Sequence, residues 1–294
     1  MGFDYIDVVQ VLMDGILFGA VYSIVGLGFT LIFGAMHKLN MAYAASSIAG
    51  AYVGIAAVSL VGAPLMVFII GPVASGVIGI AVYYVCFRFM PTNNHLAPLM
   101  ASIGGLFFID EIIIHETAGS PISFPAVFAD AYLEFGAFGI RGDLLFVAFA
   151  ALVMMAILLL LLYKTKLGLA TRAVSQQPVA SQLCGIPTHK TNATTFVIAG
   201  VLGGVAGCLA ASAVGVLSPL LTLPITIKGL IVTVMGGLGS IPGAIIAGLL
   251  VGALENFFLL LRGVNERDIY LFLVLFLILI FKPNGIFGST INRD

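Results

Sequence analysis

The sequence predicts an all-α membrane protein that crosses the bilayer eight or nine times. Hydrophobic residues make up 61% of the 294 residues and charged residues only 9%, and the mean hydropathy is +1.18. A soluble domain carries about a quarter charged residues, so this composition excludes an ordinary soluble fold. At about 20 apolar residues per spanning helix, the chain has room for about eight to ten spans joined by short loops.

Apolar runs place the spans in order along the chain. They lie at residues 15–36, 41–61, 64–89, 96–114, 144–163, 194–217, 225–235, 242–261 and 269–281. The run 225–235 is short and is flanked by Pro224 and the glycine-rich turn 236–242, which favours a half-helix or a re-entrant segment. No connection is long enough for a soluble domain, so we expect one transmembrane domain over residues 1–294.

The distribution of basic residues predicts the orientation. Alternating the spans places one group of Lys and Arg on one side and a smaller group on the other: Lys38, Arg88, Lys164, Lys166, Arg172, Lys190, Lys282 and Arg293 against Arg141, Arg262 and Arg267, with Lys228 unassigned. Cytoplasmic loops carry the excess of Lys and Arg. We therefore expect the N-terminus outside, the C-terminus in the cytoplasm, a cytoplasmic loop at 164–190 and an outer loop at 115–142.

The loop 164–190 contains the punctuation of a short helix. Pro178 suits a first helical position, where a free N–H is not needed. Gly185 suits the left-handed residue after a helix, and Pro187 prevents continuation. A helix of about two turns is too short to be stable alone in water, so we expect packing against a partner to hold it.

Glycine recurs at the spacing that lets two helix backbones approach closely. The pairs are Gly15/Gly19, Gly50/Gly54, Gly200/Gly204, Gly203/Gly207 and Gly248/Gly252. Tight helix packing is the simpler interpretation of these pairs. A role in sliding contacts during transport is the alternative.

The sequence offers no set of residues for covalent chemistry. It has no phosphate-binding loop, no His-Glu-x-x-His and no Gly-x-Ser-x-Gly motif. Its four histidines fall at predicted span ends, and its three cysteines lack the spacing of metal ligands. We therefore expect no catalytic residue, no metal site and no cofactor, and we expect that this chain does not hydrolyse ATP by itself.

Two groups of polar residues interrupt the apolar spans. Glu255 lies in the middle of a span, where an ionisable residue is costly. It either forms an ion pair or a hydrogen bond between helices, with Lys228 as a candidate partner, or provides a polar point beside a pathway. Asn40, Tyr43 and Ser47 fall roughly on one helical face.

Four stretches, in order, resemble the inner-membrane permeases of branched-chain amino acid ABC importers. They are GAVYSIVGLGFTLIFGAM at 19–36 followed by LNMA at 39–42, GLATRA at 168–173 running on to Gly185-Ile186, MGGLGSIPGA at 235–244, and KPNGIFG at 282–288. Together they cover nearly the whole chain.

This resemblance implies a permease of the type II importer fold in a bacterial or archaeal plasma membrane. It implies a second permease subunit, identical or different, two cytosolic ATPase subunits and a periplasmic solute-binding protein, and no nucleic acid. It also implies a short coupling helix in the loop 164–190. The residues expected to couple to the ATPase are Arg172, Gln177, Pro178, Val179, Ala180, Leu183 and Gly185, and those expected along the translocation pathway are Asn40, Tyr43, Ser47, Gly236, Gly237, Glu255 and Asn256.

Two departures from the family pattern stand out. Tyr43-Ala44-Ala45 stands where relatives often carry His-Gly-Glu, which leaves the substrate open. Gln177 stands where Asp is common, and because Gln is a poorer helix cap, we expect the short helix to depend more on its ATPase. Branched-chain amino acids lead, and urea, amides or small carboxylates are alternatives for the same machinery. A stand-alone secondary transporter is a more distant alternative, because that class usually shows paired carboxylates inside the membrane.

Overall fold

The computed structural model describes residues 5–90, 96–125, 132–135, 138–264 and 266–288. Its α-helices are α1 Tyr5–Met36, α2 Ala42–Val61, α3 Val67–Val82, α4 Leu96–Thr117, α5 Gly142–Lys164, α6 Lys166–Gln176, α7 Pro178–Leu183, α8 Thr188–Val214, α9 Thr222–Gly236, α10 Ile241–Arg262 and α11 Arg267–Phe281. Short 3₁₀ turns at Pro64–Met66 and Pro219–Leu221 precede α3 and α9, and a π-helical turn at Tyr83–Phe87 follows α3. The strands are β1 Ile122–Ser123, β2 Tyr132–Phe135, β3 Phe138–Arg141 and β4 Val216–Leu217.

The all-α membrane fold predicted from the composition is confirmed. Within the described ranges, eight helical segments are long and apolar enough to cross a membrane. The ninth apolar helix, α11, is shorter, with 15 residues. Helix α1 begins ten residues before the predicted apolar run. Within this additional part of the helix, Gln10 Nε2 donates a hydrogen bond of 3.2 Å to the carboxylate of Asp14, one turn later.

The expected break at Pro224 is absent. Pro224 lies in the first turn of α9, where a backbone N–H has no partner within the helix, so a proline is tolerated. The preceding 3₁₀ turn runs directly into α9, so the apolar segment is Pro219–Gly236 rather than 225–235. The chain turns after this segment, where Gly237 and Gly239 adopt positive φ angles of 102° and 86°.

Helices α1 and α10 touch backbone to backbone along a row of glycines. A β-carbon on Gly15 would lie 2.7 Å from the carbonyl oxygen of Gly252, and one on Gly19 would lie 2.8 Å from that of Gly248. Ser23 Oγ adds a hydrogen bond of 2.8 Å from α1 to the carbonyl oxygen of Ile245. The interpretation of these glycine pairs as tight helix packing is confirmed.

A second close contact joins α2, α3 and α8. A β-carbon on Gly50 of α2 would lie 2.6 Å from the carbonyl oxygen of Gly71 in α3. One on Gly200 of α8 would lie 2.7 Å from the carbonyl oxygen of Ser75, and one on Gly204 would lie 2.6 Å from the Cα of Pro72. Helix α8 also packs on α1, so the two glycine-lined contacts share one core.

The connections between helices meet at two opposite ends. At the first, called the hairpin end, β1 pairs with β4, β2 pairs with β3, and Gln10 Nε2 donates to the carbonyl oxygen of Gly139 at 2.6 Å. The second, called the α6–α7 end, carries α6, α7, the end of α1, the α9–α10 turn and residues 282–288. The loop 115–142 therefore contains a small β-hairpin that the sequence did not predict. Residues 126–131 and 136–137 of that loop, Arg293 and both chain termini lie outside the described residues.

We expect Gly248→Ala to lower the stability of the folded protein by about 1–3 kcal/mol, because its new methyl group would overlap the backbone and hydroxyl of Ser23. Gly104→Ala is the matched control, since a β-carbon there meets no atom within 4 Å. Thermal unfolding of the detergent-purified variants measures both. Equal melting temperatures for the two variants would contradict the close contact of α1 with α10.

Candidate functional site

The polar groups of Asn40 and Ser47 form hydrogen bonds with the backbone. Asn40 is buried, and its Oδ1 accepts a hydrogen bond of 3.1 Å from the N–H of Ala42, which closes a turn at the start of α2. Ser47 Oγ donates to the carbonyl oxygen of Gly203 in α8. In this conformation the two side chains tie α2 to its own start and to α8.

Tyr43 fills a slot between α1 and α8. Its ring contacts Phe29 edge-on at a centroid distance of 4.8 Å, and its side chain is only 1% exposed. The slot exists because Gly28 and Gly203 have no side chain; a β-carbon on Gly203 would lie 2.9 Å from the Tyr43 ring. The Tyr43 hydroxyl has no hydrogen-bond partner among the described residues. Gly28 and Gly203 thus make room for the Tyr43 ring.

Glu255 forms a buried ion pair with Lys228. Lys228 Nζ lies 2.6 Å from Glu255 Oε1 and also donates to the Tyr22 hydroxyl at 3.0 Å. Arg267 Nη1 lies 3.1 Å from the same carboxylate oxygen. These four side chains are called the charge cluster: Lys228 belongs to α9, Glu255 to α10, Tyr22 to α1 and Arg267 to α11. The ion pair that the sequence left as one of two possibilities is therefore present.

Sequence reasoning did not find two members of the charge cluster. Tyr22 lies in a long apolar run without periodic polar positions, and Arg267 was assigned to a loop charge. One signal was available in the sequence. Glu255 lies near the middle of a span and Lys228 was left without a side of the membrane, and two such buried charges suggest that further polar residues lie beside them. Arg267 Nε also lies 3.6 Å from Oδ1 of the half-exposed Asp268, so Arg267 has a second carboxylate beside it.

Gly236 and Gly237 pack against the end of the described chain. The N–H of Ile286 donates to the carbonyl oxygen of Met235 at 2.8 Å, and that of Phe287 to Gly236 at 3.2 Å. Gly237 combines a positive φ with a contact to residue 288 that a β-carbon would occupy. Two of the four family-like stretches, 235–244 and 282–288, thus form one backbone contact.

Asn256 lies next to the charge cluster in sequence but on the α1 side of α10. It is half-buried, and a β-carbon on Gly15 would lie 3.0 Å from the Asn256 β-carbon. The structure therefore places Asn256 at the α1–α10 contact.

Helix α7 has the punctuation that the sequence predicts. Pro178 occupies its first turn and Gly185 follows it with a φ of 82°. The N–H groups of Gly185 and Ile186 donate to the carbonyl oxygens of Gln182 and Ser181, each at 2.9 Å, which is the pair of bonds of a Schellman cap. Gln177 precedes the helix and makes no side-chain cap, in line with its poor capping ability.

One side of α7 is fixed and the other faces outward. Ser181 is 5% exposed, and Gln182 Nε2 donates to Thr188 Oγ1 of α8 at 2.8 Å. Val179 and Leu183, one turn apart, are 73% and 86% exposed. Ala180 is also exposed. Helix α7 therefore presents an apolar face without a partner among the described residues.

Helix α6 precedes α7 and was not predicted. Thr165 Oγ1 accepts a hydrogen bond of 3.3 Å from the N–H of Gly168, which caps the helix start. Gly168 has no room for a β-carbon against the last carbonyl groups of α5. The Arg172 guanidinium stacks on the Tyr163 ring at 5.3 Å. The sequence signal for α6 was Thr165, a residue suited to cap a helix start; the structure adds that Val174 on the same helix is buried.

We expect Glu255→Gln to destabilise the fold by about 3–5 kcal/mol, because it leaves Lys228 buried beside a neutral side chain. The control is the double variant Lys228→Met with Glu255→Gln, which removes both charges and should recover most of the loss. Thermal unfolding of the purified variants gives the comparison. A double variant as unstable as the sum of its single variants would contradict the coupling.

Comparison with known proteins identifies the family. The family described as "Branched-chain amino acid transport system / permease component" matches residues 11–281. The permease protein BraD of Pseudomonas aeruginosa, named for high-affinity branched-chain amino acid transport, is 29% identical over 95% of each chain. LivH of Escherichia coli, named in the same way, is 27% identical over 98% of each chain.

Among solved structures, PsaBC from Streptococcus pneumoniae in complex with Fab matches with a TM-score of 0.47 and 15% identity, covering 94% of this chain and 91% of that one. The family match spans almost every helix described above, from α1 to the end of α11. The protein is thus a multi-pass plasma-membrane protein that belongs to the permease components of branched-chain amino acid transport systems.

Proposed function

We propose that this chain is the permease subunit of an ATP-driven importer for branched-chain or related amino acids. The proposal rests on the family match and on the names of BraD and LivH, which align with nearly the whole chain. The departure at Tyr43 keeps urea, amides and small carboxylates as the competing substrates to test.

The proposed assembly contains a second permease, two cytosolic ATPases and a periplasmic solute-binding protein. We place the α6–α7 end in the cytoplasm and the hairpin end outside. The distribution of basic residues supports this orientation, because Lys164, Lys166 and Arg172 all lie at the α6–α7 end.

The observation that supports coupling to an ATPase is the outward face of α7. Two large apolar side chains, Val179 and Leu183, are exposed on a helix whose C-terminal end is closed by backbone hydrogen bonds. Such a pair fits an apolar groove on a partner, in the manner of a helix that docks with residues one turn apart. We assign that groove to the ATPase, and we assign Arg172, Gln177, Pro178, Ala180 and Gly185 to the surrounding support.

Movement of α7 would reach the core through α8. The Gln182–Thr188 hydrogen bond joins α7 to the start of α8, and α8 packs on α1, α2 and α3. ATP binding can favour one state of the permease only if the contacts at α7 differ between the two states. Helix α7 is joined to α8 by residues 184–187 and by this hydrogen bond, so it is suited to transmit that difference.

We propose that the pathway runs along the α2–α8 seam near Asn40, Tyr43 and Ser47, with Gly236, Gly237, Glu255 and Asn256 supporting it from α9 and α10. The described conformation is closed at Tyr43, whose ring fills the slot between α1 and α8. A shift of α8 away from α2 would release Ser47 from Gly203 and give the Tyr43 hydroxyl access to a polar solute.

We expect Leu183→Asp to abolish ATP-dependent uptake of leucine by the reconstituted importer, because a charge on the α7 face opposes docking in an apolar groove. Leu183→Met is the control, since it keeps an apolar side chain of similar volume and should retain uptake. Membrane insertion of both variants and their co-purification with the ATPase subunits are measured in parallel.

Uptake by Leu183→Asp at the level of the unmodified protein would contradict the role of α7. A chain that transports without any co-purifying ATPase would instead support a stand-alone transporter. Competition by isoleucine and valine, compared with urea, amides and short carboxylates, tests the substrate class separately.

We expect Tyr43→Phe to keep or raise thermal stability, by about 1 kcal/mol, because it removes a buried hydroxyl without a partner. The same variant should slow uptake, because the hydroxyl would be missing when the seam opens. Tyr52→Phe is the matched control: it removes a hydroxyl that donates to the carbonyl oxygen of Leu217 at 3.1 Å, so stability should fall. Unchanged uptake by Tyr43→Phe would place the pathway elsewhere.

A further inference from the structure

We propose that a cavity at the α6–α7 end binds a phosphate group. The cavity, called the inner cavity, has a volume of about 1060 Å³ and lies between the end of α1, the end of α5, α6, the α9–α10 turn and the C-terminal segment. Its polar lining residues include Thr30, His37, Arg172, Ser175, Gln176 and Asn284. Sites for small molecules usually occupy about 300–1000 Å³, so the inner cavity is large enough for a phosphorylated ligand.

The charge of the inner cavity favours an anion. Arg172 lines it, and the stretches that form its walls contain no Asp or Glu. Arg172 stacks on Tyr163 but takes no part in the ion pairs found among the described residues. An unpaired guanidinium offers a planar set of N–H donors that matches phosphate oxygens better than a lysine does.

Thr30 supplies a second, independent pointer to a ligand. It lines the inner cavity, is 1% exposed, and its hydroxyl lacks a hydrogen-bond partner within the described part of the chain. A buried hydroxyl without a partner is unfavourable, and a rotation of the Thr30 side chain toward the cavity would let an oxyanion accept its hydrogen bond. Thr30 belongs to α1 and Arg172 to α6, so the two donors come from different helices that line the cavity.

The position and lining of the inner cavity suit a phosphate from either of two sources. Phe33, Tyr163, Leu238 and Phe287 make part of its wall apolar, and the cavity lies where spanning helices end. Basic pockets between helices on the cytoplasmic side accept the headgroups of anionic lipids. A free phosphate compound has the same recognition chemistry without acyl chains.

We expect phosphate ligands to raise the melting temperature of the purified full chain through Arg172. The probes are inorganic phosphate, against chloride at equal ionic strength, and short-chain phosphatidylglycerol, against a maltoside of the same chain length. Arg172→Gln should weaken the apparent affinity about ten- to hundredfold, the loss expected for charge-assisted hydrogen bonds. Lys166→Gln is the matched control, since it removes an exposed charge from the same helix outside the cavity.

Thr30→Val is a second variant that tests the site if Arg172→Gln does not fold. It should keep or raise the melting temperature without ligand and still weaken phosphate binding several-fold. A shift with inorganic phosphate alone assigns the site to free phosphate compounds, and a shift with phosphatidylglycerol alone assigns it to lipid; both support a phosphate site. No shift with either probe, or equal losses in Lys166→Gln and Arg172→Gln, would overturn the proposal. These readouts need no transport, so they stand apart from the test of α7.

Discussion

Backbone contact between helices, made possible by glycine, is the constraint on which the other features depend. In a membrane, water does not drive apolar helices together, so packing has to come from close approach and hydrogen bonds. Gly15 and Gly19 of α1 meet Gly248 and Gly252 of α10 with no side chain between them. At this short separation, Tyr22 of α1 and Glu255 of α10 share one partner, Lys228 of α9.

The interior holds its ionisable groups by pairing them with one another. Removing ions from water costs several kcal/mol for each ion, and a pair recovers that cost only with good geometry and further hydrogen bonds. Glu255 meets this condition at one oxygen: its Oε1 contacts Lys228 and Arg267, and Tyr22 accepts a hydrogen bond from Lys228, whereas its Oε2 has no partner among the described residues. The cluster joins α9 and α11 to the α1–α10 pair, so it contributes to how these helices are arranged as well as to charge balance.

The sequence predicted features with local causes better than features with distant ones. The limits of α7 follow from Pro178 and Gly185, whose backbone preferences act within a few residues, and they were found. The composition likewise predicted the membrane fold, because it depends only on the amount of apolar sequence. The slot for Tyr43 depends on Gly28 and Gly203 in two other helices, and Arg267 reaches Glu255 across a turn, so neither could be read from local patterns. The interruption expected at Pro224 failed because a proline in the first turn of a helix leaves no hydrogen bond unmade.

The contacts that hold α7 also determine how freely the exposed residues of this helix can be substituted. Its C-terminal cap uses backbone groups and Gly185, and its attachment to α8 uses Gln182 and Thr188. None of these contacts involves the side chains of Val179 or Leu183. Substitutions at these two positions can therefore alter which partner surface the helix fits while the helix itself stays folded. A permease built in this way can retain its membrane fold while this exposed surface changes.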